Sequence, residues 1–384
     1  MKQNETGLWT RRGAWESRMV TILRRIMAPR VSWMNQVVGD RVTDRGTVVA
    51  AIMGIVWLSS IGIAPSHAQP AQDFYAYWGD GKAELSSYRV VQPRYGELRE
   101  GTSVLIFVTE EINRRTLVKV ESDQPTADRV YTLKLNNTLN FLTGIYPYSV
   151  MTSVFSAVEG GPAEPGQPFE PRKVSLSVQE WCGHVFEEAK LWDGEIRGDL
   201  NSYFEREGKG EWELDRPDDI VSEDHLPIEI RELKGDYMVA GETRTVEFLP
   251  SLWQLRRRHV GRELVEGTLH KGQPEVIQIA EVELESAAKE SVGDEITTPG
   301  DAMGRAVDAV ATEVETTDVE ATPWTWRYGD REVTMWVEAA YPRRILRWQD
   351  NEGGMGELLA SMRLPYWQLN RPGNESYRGD LKIP

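Results

Sequence analysis

The residue types best suited to chemistry lie together in the segment 179–184, which is QEWCGH. Apolar residues at positions 174, 176 and 178 alternate with polar ones just before it, the pattern of a half-buried strand. A strand that continues through the segment places Glu180, Cys182 and His184 on its inward face. A carboxylate, a thiolate and an imidazole at this spacing form a candidate zinc site, and an imidazole beside a thiol is a candidate catalytic pair.

The same three residues also have a purely structural interpretation, which we favour. Cysteine is among the most buried residue types, and Gly183 is suited to a β-bulge that would turn His184 to the other face. Neighbouring ligands without a distant partner are a weak signature of a metal site. We therefore expect Cys182 to be buried and unreactive, and we expect the protein to need no metal and no cofactor.

A basic cluster in an otherwise acidic chain is the second candidate site. Arg256, Arg257, Arg258 and His259 are consecutive, and guanidinium groups pair bidentately with phosphate or carboxylate. The cluster is therefore a candidate site for an anionic ligand. The alternative is that the arginines pair with the chain's own carboxylates, because 60 acidic residues face 44 basic ones.

Tryptophan side chains are the third candidate feature. Trp324 and Trp326 share one face of a predicted strand, and Trp336 lies across the predicted hairpin. Exposed rings stack on sugars, and buried rings bound apolar pockets. These three side chains are candidate ligand-binding residues, and the alternative is that they fill the core of a β-sheet.

Charge and motifs disfavour several functional classes. The formal net charge of −16 disfavours nucleic acid as a partner. The sequence contains no Gly-rich phosphate loop, no His-Glu-x-x-His, no Gly-x-Ser-x-Gly and no calcium loop. The common hydrolase and nucleotide-binding classes therefore lose most of their support.

The N-terminal sequence predicts export. Residues 46–64 are uncharged, follow Arg41 and Arg45, and precede Ser66 and Ala68, small residues at the positions that a signal peptidase reads. We predict a signal peptide with a long n-region over residues 1–68 and a mature chain in the periplasm. The alternative is an uncleaved anchor, which would be the protein's one membrane contact.

Residues 69–384 predict a single all-β domain. Strand-like alternation and closely spaced turn residues recur from a predicted strand at 74–78 onward. Helical signals are confined to 222–233 and 249–259. The predicted fold is an open antiparallel β-barrel, or a strongly curved sheet, with one or two short helices.

An acidic segment, 285–321, interrupts this predicted domain. It holds ten acidic residues, two basic ones and no aromatic residue, which predicts a solvated insertion or linker. Apolar residues from Met303 to Val314 fall at helical spacing, so a helix that docks on the domain is the alternative.

Four segments carry a resemblance to a known family: YWGDGKAELSSY, YGELREGTSVLIFVTE, GIYPYSVMTSVF and SVQEWCGHVF. Over roughly residues 73–350 the chain resembles a family of uncharacterised exported bacterial proteins, often labelled septum formation inhibitor Maf. Genuine Maf enzymes are cytoplasmic nucleotide pyrophosphatases with a Ser-x-Ser-Pro-Arg signature, which is absent here. The second half, with REVTMWVEAAYPRRILRW, is similar to periplasmic domains of unknown function built as open antiparallel β-barrels. The resemblance implies a compartment and a fold, and it assigns no catalytic residue.

The function we expect is that of a non-enzymatic periplasmic or envelope protein. Its expected partner is an apolar or amphipathic ligand such as a lipid, or another envelope protein. The alternative is a metal- or thiol-dependent enzyme centred on Cys182 and His184. A cavity inside the sheet favours the first function, and a third ligand-type side chain beside Cys182 and His184 favours the second.

Overall fold

The computed structural model of the chain describes residues 70–121, 128–159, 168–280, 283–284 and 316–384. The predicted signal peptide and most of the predicted acidic insertion, including its candidate helix, lie outside the described residues. Within the described part, no helix is both long and apolar enough to cross a membrane.

The first half of the chain is an antiparallel meander in which each strand pairs with the next. Its strands are β1 (Ala83–Arg94), β2 (Glu97–Asn113), β3 (Arg129–Thr143), β4 (Tyr146–Ala157), β5 (Glu170–Glu180), β6 (Gly183–Trp192), β7 (Glu195–Ser202) and β8 (Lys209–Asp215). The turns at 95–96, 144–145 and 181–182 lie at one end of these strands, which we call the upper end. The opposite end, with the turn at 193–194, is the lower end.

The second half completes the same sheet. Its strands are β9 (Val221–Ser222), β10 (Thr243–Leu249), β11 (Val265–Lys271), β12 (Glu275–Ala280), β13 (Glu283–Leu284), β14 (Thr316–Tyr328), β15 (Arg331–Glu338), β16 (Ile345–Asp350) and β17 (Met355–Leu364). The last strand, β17, pairs antiparallel with β1 and joins the two halves. The sheet curves without closing, so the predicted all-β open architecture is confirmed.

Helices are few and short. They are α1 (Pro70–Trp78), α2 (Leu226–Glu229), α3 (Leu252–Arg258) and α4 (Ser376–Asp380), with 3-10 turns at Glu223–His225 and Tyr366–Gln368. The two predicted helical segments therefore contain helices, in shortened form. The predicted strand at 74–78 was wrong, because Phe74 and Trp78, one helical turn apart, are both fully buried on one face of α1.

The predicted end of the acidic insertion is also corrected. Residues Thr316–Ala321, which we assigned to the insertion, form the first half of β14 and pair with β12. Val319 is half-buried and Ala321 is buried, whereas Asp318 and Glu320, which alternate with them, are exposed. The acidic side chains therefore lie on the solvent face of a strand, and strand pairing orders a segment whose composition resembles a linker.

The residues around the short helices α2 and α3, within the segment 220–258, pack against the inward face of the sheet. The apolar residues of this segment, Leu226, Ile228 and Leu252 among them, belong to the main hydrophobic core with the inward residues of the strands. Buried ion pairs add fixed contacts: Arg231 lies 2.9 Å from Glu84 of β1, and Lys271 lies 2.6 Å from Glu232. This segment supplies the inner wall against which cavities form.

Side chains join the free end of the meander to the second half of the chain. Glu187 of β6 accepts hydrogen bonds from Arg262 at 2.6 Å and from the indole of Trp212 in β8 at 3.1 Å. Glu207, between β7 and β8, pairs with Arg256 at 2.8 Å. We call this junction the seam, because side-chain ion pairs cross it where β8 and β10 approach.

Candidate functional site

The cysteine segment lies at the turn between β5 and β6, not on the inward face. The strand ends at Glu180, which pairs with Gly183, so Trp181 and Cys182 form the two-residue turn. Cys182 is exposed and so is His184. The prediction that Cys182 is buried was therefore wrong, because the alternation of the strand stops two residues before the thiol.

The surroundings of Cys182 also disfavour a reactive thiol and a metal site. Glu180 accepts a hydrogen bond from the backbone N–H of Cys182 at 2.7 Å, and this carboxylate raises the pKa of the thiol, which disfavours the reactive thiolate. Among the described residues, no three His, Cys, Asp or Glu side chains are placed to hold a metal ion.

The basic cluster at the end of α3 binds the chain's own carboxylates. Arg256 and His259 both contact Glu207, at 2.8 and 2.9 Å. Arg257 and Arg258 both contact Glu352 in the turn between β16 and β17. The structure therefore shows the ion pairing that we considered as the alternative, and a role for the cluster in ligand binding stays a prediction.

The three candidate tryptophans do not share one face. Trp324 and Trp326 point into the core and are at most 2% exposed. Trp336 pairs with Pro323 across the hairpin, so it lies on the other face, where its indole donates to Glu275 at 2.6 Å and Arg347 stacks on its ring. Trp326 lines a cavity that neither Trp324 nor Trp336 lines, and a role of these three residues in ligand binding stays a prediction.

This cavity, which we call the upper cavity, has a volume of about 170 Å³ and lies inside the upper half of the sheet. Apolar residues of β1 to β4 and of β15 form its walls. The lining also includes three tryptophans, four charged residues and several uncharged polar residues. The wall residues used below are Leu105, Leu135, Val150, Val333 and Met335, and the remaining lining includes Trp253, Trp326, Trp348, Glu223, Asp224, Arg331 and Asp350.

Glu223 is the fixed charge of the upper cavity. One carboxylate oxygen accepts from Arg331 at 2.7 Å and from the indole of Trp326 at 3.2 Å. The other accepts from the hydroxyl of Tyr328 and from the backbone N–H of Ser251 at 2.9 Å. Burial alone would raise the pKa of Glu223, but Arg331 and these donors outweigh it and lower the pKa. Glu223 is therefore ionised throughout the neutral range.

Asp224 is the next residue and behaves in the opposite way. It accepts the backbone N–H of Leu252 at 2.9 Å, so Glu223 and Asp224 together hold the first turn of α3. Burial, with the adjacent charge of Glu223, raises the pKa of Asp224 to about 7. Two neighbouring carboxyls whose pKa values are driven apart provide one permanent charge and one group that exchanges a proton near neutral pH.

Arg331 has unused hydrogen-bonding capacity at this site. It is 9% exposed, its Nε donates to Glu223, and one of its terminal nitrogens lies 3.6 Å from Asp350. That nitrogen has no hydrogen-bond partner within the described part of the chain. Since buried polar groups are almost always satisfied, a ligand atom or a water molecule that accepts this hydrogen bond would complete the site.

The sequence analysis missed these charged residues. Glu223 and Asp224 lie in the segment 222–233, which the sequence predicts only as helical. A usable signal is present, because two adjacent acids stand between the apolar residues of IVSEDHLPI. Arg331 also follows the spacing of Val333 and Met335, which places its side chain on the inward face of β15.

Comparison with known proteins supplies no function for this site. No protein-family model, no curated protein and no solved structure matches the chain. The resemblance to an exported bacterial family therefore stays a prediction, and function must be argued from the geometry.

Proposed function

We propose that the chain is a non-enzymatic periplasmic protein that binds a small amphipathic ligand in the upper cavity. The observation that carries this proposal is a cavity that combines apolar wall residues with fixed charged groups. Leu135, Val150 and Met335 line the cavity together with Asp224 and Arg331. Ligand pockets use apolar side chains for burial and placed polar groups for orientation in this way.

The volume limits the ligand to a small group. An engineered apolar cavity of about 150 Å³ binds benzene, and the upper cavity is about 170 Å³. The part of the ligand held inside is therefore about one ring in size. This narrows the expected ligand from a complete lipid to a ring or short branched chain that carries one polar group.

Charge favours a neutral or cationic polar group on the ligand. Glu223 and Asp350 share the single guanidinium of Arg331. An added carboxylate would meet two carboxylates for one cation, at low local dielectric. We expect a neutral polar group, such as a hydroxyl, to accept a hydrogen bond from Arg331. A cationic group would instead donate to Asp224, whose own protonation changes near pH 7.

The test uses three ring-sized probes: benzyl alcohol, benzylamine and benzoate. Thermal unfolding of the mature chain and quenching of tryptophan fluorescence should show saturable binding of benzyl alcohol or benzylamine, and the weakest binding of benzoate. Native mass spectrometry of protein purified from the envelope should show a retained small molecule. Equal responses to all three probes, or no saturable response to any, would contradict the proposal.

Two leucine-to-phenylalanine variants separate filling of the cavity from damage to the core. Leu135→Phe extends a wall residue into free volume, so it should abolish probe binding and change the melting temperature little. Leu176→Phe places the same added bulk at a fully buried site that does not line the cavity. It should lower the melting temperature by several degrees through overpacking and leave probe binding intact.

A second candidate function, docking of an envelope protein, has its own observation. Large apolar side chains on neighbouring turns of the upper end are exposed, with Ile145 at 83%, Tyr203 at 72% and Trp181 at 69%. The rings of Tyr146 and Trp181 lie 6.3 Å apart. Exposed apolar side chains that adjoin one another are typical of interaction sites. If these exposed side chains form a docking site, Trp181→Ser should abolish recovery of a crosslinked envelope partner, whereas Leu135→Phe should not.

A further inference from the structure

A second cavity, the lower cavity, lies at the opposite end of the sheet and has a volume of about 460 Å³. Its apolar lining includes Phe169, Ile220, Val246 and Leu269, which come from four separate parts of the chain. The volume falls within the range of small-molecule sites. The lower cavity shares no lining residue with the upper cavity, so none of the polar groups described above lines it.

Glu229, at the end of α2, is the buried polar group of the lower cavity. Its side chain lines the cavity, the residue is 6% exposed, and its Oε2 has no hydrogen-bond partner within the described residues. Burial raises the pKa of Glu229 to about 8, although Tyr237 and Arg216 act to lower it. In the absence of a ligand, Glu229 therefore carries a proton at neutral pH and leaves one oxygen unsatisfied.

The charges around the lower cavity favour a cation. Arg216 is already paired with Glu170 at 3.1 Å, and Arg244 is paired with Glu242 at 2.7 Å. Asp218 and Asp219 also line the cavity, and both are exposed to solvent. Neither forms an ion pair with a residue that the structure describes.

We propose that the lower cavity binds a primary ammonium group that carries a short apolar body. The ammonium donates to Oε2 of Glu229, and the apolar body packs against Phe169, Val246 and Leu269. Binding converts Glu229 from the acid to the carboxylate, so its proton passes to the buffer while the ammonium keeps all of its own protons. The two aspartates give the site a negative entrance that attracts such a cation.

The experiment is calorimetric titration of the full mature chain with n-butylammonium chloride. Two buffers of different ionisation enthalpy are used at pH 7, and n-butanol serves as the uncharged probe. A carboxyl with a pKa of about 8 should release about 0.9 proton on binding at pH 7 and about 0.1 at pH 9. The affinity should rise close to tenfold between pH 6 and pH 7.

Matched glutamate-to-glutamine variants identify the group responsible. Glu229→Gln should abolish both the proton release and most of the binding, because a neutral amide replaces the carboxylate at nearly the same volume. Glu247→Gln makes the same change at an exposed neighbouring residue that does not line the cavity, and it should alter neither. Melting temperatures of both variants verify that they fold.

Several outcomes would overturn the proposal. Binding without proton release would remove Glu229 from the site, and so would unchanged binding in Glu229→Gln. Equal affinity for n-butanol would show an apolar pocket with no role for charge. The absence of heat from either probe would mean that the lower cavity holds only water. None of these results depends on the upper cavity, since Leu135→Phe should leave butylammonium binding unchanged.

Discussion

The upper and lower cavities each hold a carboxyl group with a raised pKa, but they differ in what surrounds it. Asp224 lies beside an ionised glutamate that four donors, Arg331 among them, already satisfy. Glu229 has Tyr237 as its neighbour and an oxygen that accepts no hydrogen bond from any described residue. In the upper cavity the protein supplies the compensating charge, whereas in the lower cavity it leaves that charge to a ligand.

This difference predicts that the charged network of the upper cavity is rigid and that the lower cavity responds to a ligand or to pH. A buried charge held by several hydrogen bonds is costly to disturb, so the upper network fixes α3 against β14 and β15. A single protonated carboxyl can change its charge at a small cost, so the lower cavity can respond to a ligand or to pH. The predictions below test this contrast, beginning with the largest expected effect.

Removal of Arg331 should be the most damaging single change. Arg331→Leu leaves Glu223 buried without its cation and should destabilise the protein by about 3 to 5 kcal/mol. Arg216→Leu in the lower cavity should cost only about 1 to 2 kcal/mol, because its partner Glu170 keeps Arg172 at 2.6 Å. Urea denaturation of both variants measures the difference. Equal losses of stability in the two variants would show that the remaining contacts compensate equally well for the removed arginine in both cavities.

The pH dependence of stability should reveal Glu229. Its pKa rises from 4.5 to about 8 on folding, so between these values the folded state holds a proton that the unfolded chain has released. Its contribution to stability is therefore greatest below pH 4.5 and is lost as the pH rises to 8. Glu229→Gln should gain stability relative to the parent across this window, on the order of 1 to 3 kcal/mol at pH 9. A constant difference from pH 5 to pH 9 would contradict the raised pKa.

Asp224→Asn should also gain stability relative to the parent, but the gain should be smaller and should develop over a lower pH range. The pKa of Asp224 rises from 3.8 to about 7, so the relative gain should develop between these values and then stay level. Asp224 keeps partial exposure to the cavity and still accepts the Leu252 N–H, which limits the gain to roughly 1 kcal/mol. Denaturation at pH 4, 6 and 8 measures it, and a gain larger than that of Glu229→Gln would reverse the comparison.

Cys182 lies outside both cavities and should have the smallest effect. Cys182→Ala should leave the urea midpoint of unfolding essentially unchanged, because the thiol is exposed at a turn. Its labelling by a thiol reagent should not need denaturant. Glu180 raises the pKa of the thiol, so Glu180→Gln should speed native labelling at pH 7. Labelling that begins only on unfolding would mean that the turn buries the sulfur.

The sequence predicts those parts of the fold that depend on neighbours along the chain. Alternation over residues 174–178 correctly locates β5, and the hairpin predicted between Trp326 and Trp336 is that of β14 and β15. The prediction fails at Cys182 because Trp-Cys is an unusual pair for a two-residue turn, whose favoured residues are Asn, Asp and Gly. It fails again at 74–78, where four aromatic residues suit a strand but the spacing of Phe74 and Trp78 suits a helix.

The candidate sites could not be assembled from the sequence, since their contacts are long-range. Glu223 and Arg331 are 108 positions apart, and no local pattern relates them. The pKa of Asp224 depends on burial by strands at both ends of the chain. Single residues, such as Trp326, can be proposed from strand parity, but the cavity that they share requires the curvature of the complete sheet.

The seam gives the molecule a preferred order of opening. Strand β8 pairs with β7 along one edge, and its residues are mostly exposed. At the seam, Glu187 of β6 and Glu207 in the loop before β8 pair with Arg262 and Arg256. Local unfolding begins where few buried contacts must break, so the amide protons of β8 should exchange with solvent well before those of β2 and β3. The ion pairs of the seam are largely buried, and salt screens buried pairs much less than exposed ones. High ionic strength should therefore leave this order of opening unchanged.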